Sequence, residues 1–181
     1  MGDDITTTLV ADRDIDLGLR AAALDLCRAT FGTRFSDDDA DHTGGGVRLL
    51  IYDEGLLVGH AAVVPRRIEI GERVLRAGYV EGVAVLPEHQ GRGLGTRLMR
   101  AVDAVVERDG YEVGVLSTGR HSFYERVGWQ RWQGPSFVRN ADGLRRTPDE
   151  DDGLMVLVVG ATPDLDPTAP ITCEARPGDD W

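Results

Sequence analysis

The chain has 181 residues, a length that suits one domain able to bury a core without crosslinks. Acidic residues outnumber basic ones by 31 to 20, so the formal net charge is −11. Phosphate contacts need a surplus of basic residues, and this balance therefore argues against a general nucleic-acid binder. It favours either a cationic ligand or a plain acidic surface.

The acidity is concentrated at the two ends of the chain. Residues 1–41 hold ten acidic residues and four arginines, and residues 147–181 hold nine acidic residues and one arginine. We expect these two ends either to stay solvated or to fold over the middle of the chain, which is closer to neutral, and form the walls of an acidic cleft.

Cysteine and histidine usage predicts neither a metal site nor a redox motif. Cys27 and Cys173 are far apart in the sequence and leave a disulfide open, but two lone thiols favour a reducing compartment. The acidic start lacks the pattern of a secretion signal, and no apolar run approaches the roughly 20 residues of a membrane span. We therefore expect a cytoplasmic protein with no membrane or nucleic-acid partner.

Hydrophobic periodicity predicts an α+β fold in one domain, because antiparallel strands come first and a strand–helix–strand order follows. The segment between 133 and 154 is predicted to contain a polar loop, and the proline-rich tail to be irregular. The predicted elements are a strand at 6–11, a helix at 17–31, a short helix opening at 36–39, strands at 47–52, 56–70 and 73–85, a helix from 94 to the turn at 109–110, a strand at 111–116, a helix at 120–127, and strands at 129–133 and 154–159.

The most specific stretch runs from Gly82 to Thr96, where an apolar strand enters a glycine-rich turn that opens the long helix. Free amides at a helix N-terminus bind phosphate oxygens, and glycines let the backbone approach closely. The P-loop spacing and the dinucleotide fingerprint are both absent. The stretch predicts phosphate binding by the main chain of Gln90, Gly91, Arg92, Gly93, Leu94, Gly95 and Thr96, and we expect His89 to be a solvent-facing loop residue.

The run Gln90–Gly95 matches the [Arg/Gln]-x-x-Gly-x-[Gly/Ala] signature of the Gcn5-related N-acetyltransferases, which the order of elements over 47–133 also resembles. A closer likeness spans nearly the whole chain: residues 42–46, 78–85, 147–149 and 178–181 resemble the aminoglycoside 2′-N-acetyltransferases. The resemblance implies a single N-acetyltransferase domain over 1–181, with a central, mostly antiparallel mixed sheet flanked by helices. It also implies acetyl-coenzyme A as co-substrate, the 2′-amine of an aminoglycoside as acceptor, and a homodimer.

Acetyl transfer to an amine needs a base for the ammonium proton and an acid for the leaving thiolate. Glu81 lies among apolar strand residues, so it either faces outward or points into a cleft; the resemblance favours a base acting through water, with the terminal carboxylate on Trp181 sharing the role. Tyr124 is either a core residue or, as the resemblance implies, the general acid. The backbone of Val83, Ala84 and Val85 is expected to pair with the pantetheine arm as an added strand.

Carboxylates recognise the ammonium and hydroxyl groups of an aminoglycoside. From the resemblance, the acceptor positions are Asp39, Glu81, Gly82, Ser117, Asp151, Asp179 and Trp181. The loop 149–152 appears one residue longer than the family pattern, which leaves open which of its acids reaches the ligand.

Two alternative functions remain open from the sequence. One is an N-acetyltransferase of the same fold acting on another small polyamine or a cell-wall amine, because the coenzyme motif does not define the acceptor. The other is a non-catalytic coenzyme A sensor, against which the pair Glu81 and Tyr124 argues.

Overall fold

The computed structural model describes residues 4–160 and 164–181. In this part of the chain three consecutive strands precede a strand–helix–strand order, which confirms the predicted α+β fold. The strands are β1 (Ile5–Ala11), β2 (Val47–Asp53), β3 (Leu56–Ile70), β4 (Arg73–Val85), β5 (Val113–Ser117), β6 (Gln130–Arg131), β7 (Ser136–Asn140), β8 (Gly143–Arg146), β9 (Leu154–Val158) and β10 (Ile171–Glu174). The helices are α1 (Leu17–Phe31), α2 (Asp37–His42), α3 (Leu94–Arg108) and α4 (His121–Arg126).

The chain divides into two compact units. The first comprises the described part of Met1–Val64 together with Val80–Val105, and the second comprises Pro65–Tyr79 with the described part of Val106–Trp181. No helix among the described residues is both long enough and apolar enough to cross a bilayer.

The first unit is built on antiparallel pairing of β1 with β2 and of β2 with β3. The strand residues Leu49, Leu50 and Ile51 are fully buried, as are Leu98 and Val102 of α3. The side chain of Leu98 lies close to β3, because a Cβ built at Gly59 would come within 3.5 Å of it. Helix α3 therefore packs against β3 through its buried side chains.

Local sequence explains where the first two helices of this unit begin. The Asp16 side chain caps α1 by accepting a hydrogen bond from the Leu19 amide at 2.9 Å. Helix α2 has a capping box, in which the Ser36 hydroxyl accepts from the Asp39 amide and the Asp39 carboxylate accepts from the Ser36 amide. The start predicted at 36–39 is therefore correct.

The second unit combines parallel and antiparallel pairs. Strand β5 runs parallel to β4 and antiparallel to β9, which also pairs with β6. Strand β10 runs antiparallel to β3 and parallel to β7. The Trp129 ring fills the space beside Gly114, where a Cβ would come within 2.7 Å of it.

Two predictions about this unit are wrong. The expected polar loop after residue 133 contains the hairpin of β7 and β8, and the tail expected to be irregular contains β10. Each strand spans only four or five residues, and β10 follows Pro170 directly, so periodicity gives little signal. For β10, pairing with strands that are distant in sequence provides the hydrogen bonds, and burial of Ile171 and Cys173 anchors it.

Candidate active site

The glycine-rich turn of the first unit connects β4 to α3. Its start is fixed by two hydrogen bonds, from the Leu86 amide to the Val58 carbonyl at 3.0 Å and from the Gln90 side chain to the Val85 carbonyl at 2.9 Å. Gly91 and Gly93 have φ of 76° and 78°, a region that favours glycine, and no atom lies within 4 Å of a Cβ built at either position. The turn therefore presents open backbone just before a helix whose first amides lack intrahelical partners.

The predicted phosphate-binding residues are contiguous in this turn. Gly91, Arg92 and Gly93 are exposed, Gly95 and Thr96 are half-buried, and Leu94 is buried as the first residue of α3. An anion beside Gly91–Gly95 would meet amides and the positive end of the α3 dipole.

A carboxylate binds the side chains of Arg92 and His89 in this turn. Asp53 at the end of β2 forms an ion pair with Arg92 and accepts from His89 Nδ1 at 3.1 Å. Arg92 is the main cause that keeps the pKa of Asp53 below its usual value. The expectation that His89 faces solvent is wrong, because its side chain is only 16% exposed and packs against Asp53.

A buried polar chain supports the end of β4. Arg48, which is 1% exposed, donates from Nε to Asp12 Oδ1 at 2.9 Å and from Nη1 to His60 Nε2 at 3.1 Å. Arginine has no acceptor, so His60 Nε2 must accept and the proton lies on Nδ1. That N–H donates to the Gly82 carbonyl at 2.8 Å.

The same chain keeps His60 neutral. Burial lowers its pKa to about 4, and the neighbouring Arg48 charge acts in the same direction. Gly82 has a φ of 57°, and a Cβ there would come within 3.3 Å of the His60 ring. The polar chain of Asp12, Arg48 and His60 therefore fixes an unusual backbone turn between Glu81 and Val83.

Sequence analysis did not identify this polar chain. Its signal was an arginine and a histidine within apolar strands, in the runs Val47–Tyr52 and Leu56–Val64. Asp12, the third member, is also bound by Arg20 at 3.0 Å and by the Gly45 amide at 3.0 Å.

The predicted residues around Gly82 lie at the end of β4. Glu81, Gly82 and Val83 are half-buried, whereas Ala84 and Val85 are buried. Ala84 packs in a cluster with Leu26 and Cys27 of α1. Asp39 lies in α2, where its carboxylate caps the helix at 2.7 Å from the Ser36 amide.

Tyr124 lies in α4 of the second unit and is 7% exposed. Its ring makes edge contacts with Phe123 and Trp129, with centroids 4.9 and 6.5 Å away. Burial raises the pKa of Tyr124 to about 12, despite the opposing charge of Arg120. The phenol is therefore protonated at neutral pH, the form that donates a proton or a hydrogen bond.

A cavity of ≈ 230 Å³ lies between the turn after β8 and the end of the chain, and we call it the C-terminal cavity. Trp181 forms part of its wall, 4% exposed, with its indole N–H donating to Thr147 Oγ1 at 3.2 Å. The acidic residues that line the cavity are Asp149, Glu150, Asp179 and Asp180.

The acids of the C-terminal cavity repel one another. Burial raises the pKa of Glu150, and the charge of Asp179 raises it further. Glu150 Oε2 lies 3.4 Å from Ser117 Oγ. Ser117, one of the predicted acceptor-binding residues, is therefore next to an acid of this cavity. Asp149 and Asp180 raise the pKa of Glu150 as well. Arg145 and Arg146 also line the cavity, and Arg145 pairs with Asp180 at 2.6 Å. A cation entering the cavity would relieve the repulsion.

Asp151 is bound to neighbours within the unit. Its carboxylate forms an ion pair with Arg146 and accepts from the Ser136 amide and hydroxyl at 2.8 Å. These bonds lower its pKa, with Arg146 as the largest cause. Within the loop 149–152, the half-buried carboxylate that lines the cavity is that of Glu150.

The first unit has an open glycine-rich turn at a helix N-terminus, and the second unit has a cavity lined in part by acidic residues. Residues 18–132 match the family model described as the acetyltransferase (GNAT) domain. The chain belongs to the GNAT family of acetyltransferases, as the resemblance implied, and the mixed sheet with helices is the fold of that family.

A curated relative is similar over nearly its full length. The chain is 44% identical to the aminoglycoside 2′-N-acetyltransferase of Mycolicibacterium fortuitum, over 97% of this chain and 92% of that protein.

Solved structures share the fold. A GNAT family N-acetyltransferase from Escherichia coli in complex with CoA has a TM-score of 0.65 at 18% identity, covering 96% of this chain and 91% of that one. A GNAT family acetyltransferase from Brucella melitensis in complex with acetyl-CoA has a TM-score of 0.62 at 18% identity, covering 92% and 94%. A GCN5-related N-acetyltransferase from Kribbella flavida matches 74% of this chain, which spans only 34% of that longer protein (TM-score 0.61, 21% identity).

Proposed function

We propose that the protein is an aminoglycoside 2′-N-acetyltransferase that transfers an acetyl group directly from acetyl-coenzyme A to the acceptor amine. The observation that carries the proposal is the C-terminal cavity, in which Asp149, Glu150 and Asp179 gather negative charge. An aminoglycoside is a small polycation, so such a cavity matches its charge. The named relative from Mycolicibacterium fortuitum supports the same acceptor.

The coenzyme part of the proposal rests on the first unit. The main chain of Gln90–Thr96 binds the pyrophosphate, because Gly91 and Gly93 leave that backbone open and α3 adds its dipole. Asp53 orients Arg92 beside this turn. The backbone of Val83, Ala84 and Val85 pairs with the pantetheine arm as an added strand would.

Two side chains carry the proton transfers. Glu81 removes the proton from the acceptor ammonium through water, and the Gly82 backbone held by His60 sets its position. Tyr124 donates a proton to the departing thiolate, which its raised pKa permits because the phenol stays protonated. The sulfur–acyl bond breaks as the nitrogen–acyl bond forms, so no covalent enzyme intermediate is needed.

The acceptor set of the proposal differs from the sequence prediction at one position. Glu150 takes the place of Asp151, because Asp151 is bound by Arg146 and Ser136 whereas Glu150 lines the C-terminal cavity with Asp179. The other acceptor residues of the proposal are unchanged: Ser117, Asp179 and Trp181 in the second unit, and Asp39, Glu81 and Gly82 in the first.

The proposal also includes a reducing cytoplasmic location and a homodimer. Cys27 and Cys173 are both buried free thiols, which supports the first point. The family resemblance supports the second.

A matched pair of aminoglycosides tests the acceptor. The two compounds differ only in carrying an amine or a hydroxyl at the 2′ position, and thiol release from acetyl-coenzyme A is followed for each. We expect release with the amine alone, and mass spectrometry should place the acetyl group on that nitrogen. Equal rates with both compounds, or release only with a simple polyamine, would favour the alternative acceptors, and no release with any amine would favour a sensor.

Glu150→Gln tests the cavity itself. The variant should raise the acceptor KM while leaving the coenzyme KM unchanged, because the amide keeps the shape and loses the charge. Asp152→Asn is the matched control, since Asp152 is exposed in the same loop and does not line the cavity. If both variants change the acceptor KM equally, the effect comes from net charge and not from the cavity.

A further inference from the structure

A second cavity, of ≈ 360 Å³, lies in the second unit and shares no lining residue with the C-terminal cavity. We call it the arginine cavity. Its charged and aromatic lining consists of Arg66, Arg67, Arg76, Arg176, Tyr111 and Glu174. Four cationic groups therefore face one carboxylate, in a protein whose overall charge is −11. Such a local excess of positive charge needs a physical reason.

Main-chain carbonyls hold two of these arginines in place. Arg66 donates from Nη1 to the Asp180 carbonyl at 2.8 Å and from Nη2 to the Glu174 carbonyl at 2.9 Å. Arg176 donates from Nε to the Asp179 carbonyl at 2.7 Å. A carbonyl orients a guanidinium but brings no formal negative charge, so the two bonds of Arg66 fix its geometry without neutralising its charge.

Aromatic rings also hold three arginines of the arginine cavity in place. The guanidinium carbons of Arg66 and Arg176 lie 4.7 and 5.4 Å from the centre of the buried Tyr79 ring. Arg76 lies 5.3 Å from the centre of the Tyr111 ring and donates to the Gly110 carbonyl at 3.2 Å. Cation–π contacts and carbonyl bonds thus bring like charges together before any ligand binds.

We propose that the arginine cavity is a binding site for a small phosphate-bearing molecule. Each guanidinium has five N–H donors in a planar fork that matches phosphate oxygens, and the carbonyl bonds of Arg66 use two of them. A volume of ≈ 360 Å³ exceeds what a single phosphate group fills, so the ligand carries an organic part. This site is independent of the proposed acetyl transfer.

Calorimetric titration with inorganic phosphate and with pyrophosphate tests the site. One equivalent of coenzyme A is added first, so that the glycine-rich turn is filled without an excess that could occupy the arginine cavity, and sodium chloride keeps the ionic strength constant. We expect one equivalent of the oxyanion to bind to the native protein. The double variant Arg67→Gln/Arg76→Gln should weaken binding at least about tenfold, the loss expected from about 1.4 kcal/mol of contact energy.

The choice of variants keeps the test specific. Arg67 and Arg76 are exposed strand residues, so their replacement leaves the carbonyl contacts of Arg66 and Arg176 intact. The control Arg100→Gln/Arg131→Gln removes the same charge from exposed positions outside both cavities, and we expect it to bind like the native protein. No binding to the native protein, or equal weakening in both double variants, would overturn the proposal.

Discussion

Replacing Arg48 with methionine removes a buried guanidinium and keeps a side chain of similar reach. Arg48 is 1% exposed and forms an ion pair with Asp12 at 2.9 Å. Removing one partner of a buried pair costs about 3–5 kcal/mol, because the other charge stays buried. Asp12 keeps its bonds to Arg20 and to the Gly45 amide, so we expect the lower end of this range, about 3 kcal/mol.

Urea unfolding measures this loss. With a slope of about 2 kcal/mol per molar urea, the midpoint should fall by about 1.5 M. His60 Nε2 also loses its donor, so the Gly82 backbone should become less well held and the turnover number should fall in the same variant.

Arg139→Met is the matched control for this prediction. Arg139 pairs with Glu69 at 2.6 Å on the surface, with 45% of its side chain exposed. Solvent screens that pair, so its loss should move the urea midpoint far less. If Arg48→Met and Arg139→Met shift the midpoint equally, the buried polar chain does not have the energetic role given to it here.

Three further predictions concern catalysis, the end of the chain and pH. Tyr124→Phe should lower the turnover number by about 10²–10⁴ with little change in coenzyme KM, whereas Tyr52→Phe should leave both unchanged; a native rate in Tyr124→Phe would remove the acid role. Acceptor binding should weaken as salt rises, because salt screens the attraction between ammonium groups and carboxylates. Deleting residues 179–181 should raise the acceptor KM far more than the coenzyme KM and should reduce this salt dependence; equal loss of both affinities would mark the segment as structural. The free energy of unfolding should decrease as the pH falls from about 6.5 to about 4. In this range His60 binds a proton in the unfolded chain but stays neutral in the folded protein, where its pKa is about 4. His60→Gln should flatten this dependence in thermal melts, and an unchanged slope would show that another group causes it.

The turn before α3 was readable from the sequence because its chemistry is local. Gly91 and Gly93 adopt positive φ, and Leu94 begins a helix whose apolar spacing was plain. The capping box of Ser36 and Asp39 is equally local. In each case the interacting groups lie within a few residues, so composition and spacing suffice to predict the structure.

The choice of residues proposed to bind the acceptor depended on tertiary contacts, which the spacing of residues in the sequence does not reveal. The loop 149–152 offers four adjacent acids, and the sequence could not choose among them. The choice follows from the positions of Arg146 and Ser136, which bind Asp151, and from burial of Glu150 beside Ser117. The short strand β10 was missed for the same reason, since its partners β3 and β7 are far away in the chain.

The sequence by itself therefore determined the glycine-rich turn and most of the longer elements, because these depend on hydrophobic period, glycine and capping residues in contiguous stretches. Its resemblance to the GNAT signature indicated the family. Only the tertiary structure decided which charged groups are paired and which are left to act on a ligand. Asp12, Arg48 and His60 lie up to 48 residues apart, yet they form one buried chain that ends on Gly82. The free energy of such a group depends on its burial and its partner, and both are properties of the folded chain.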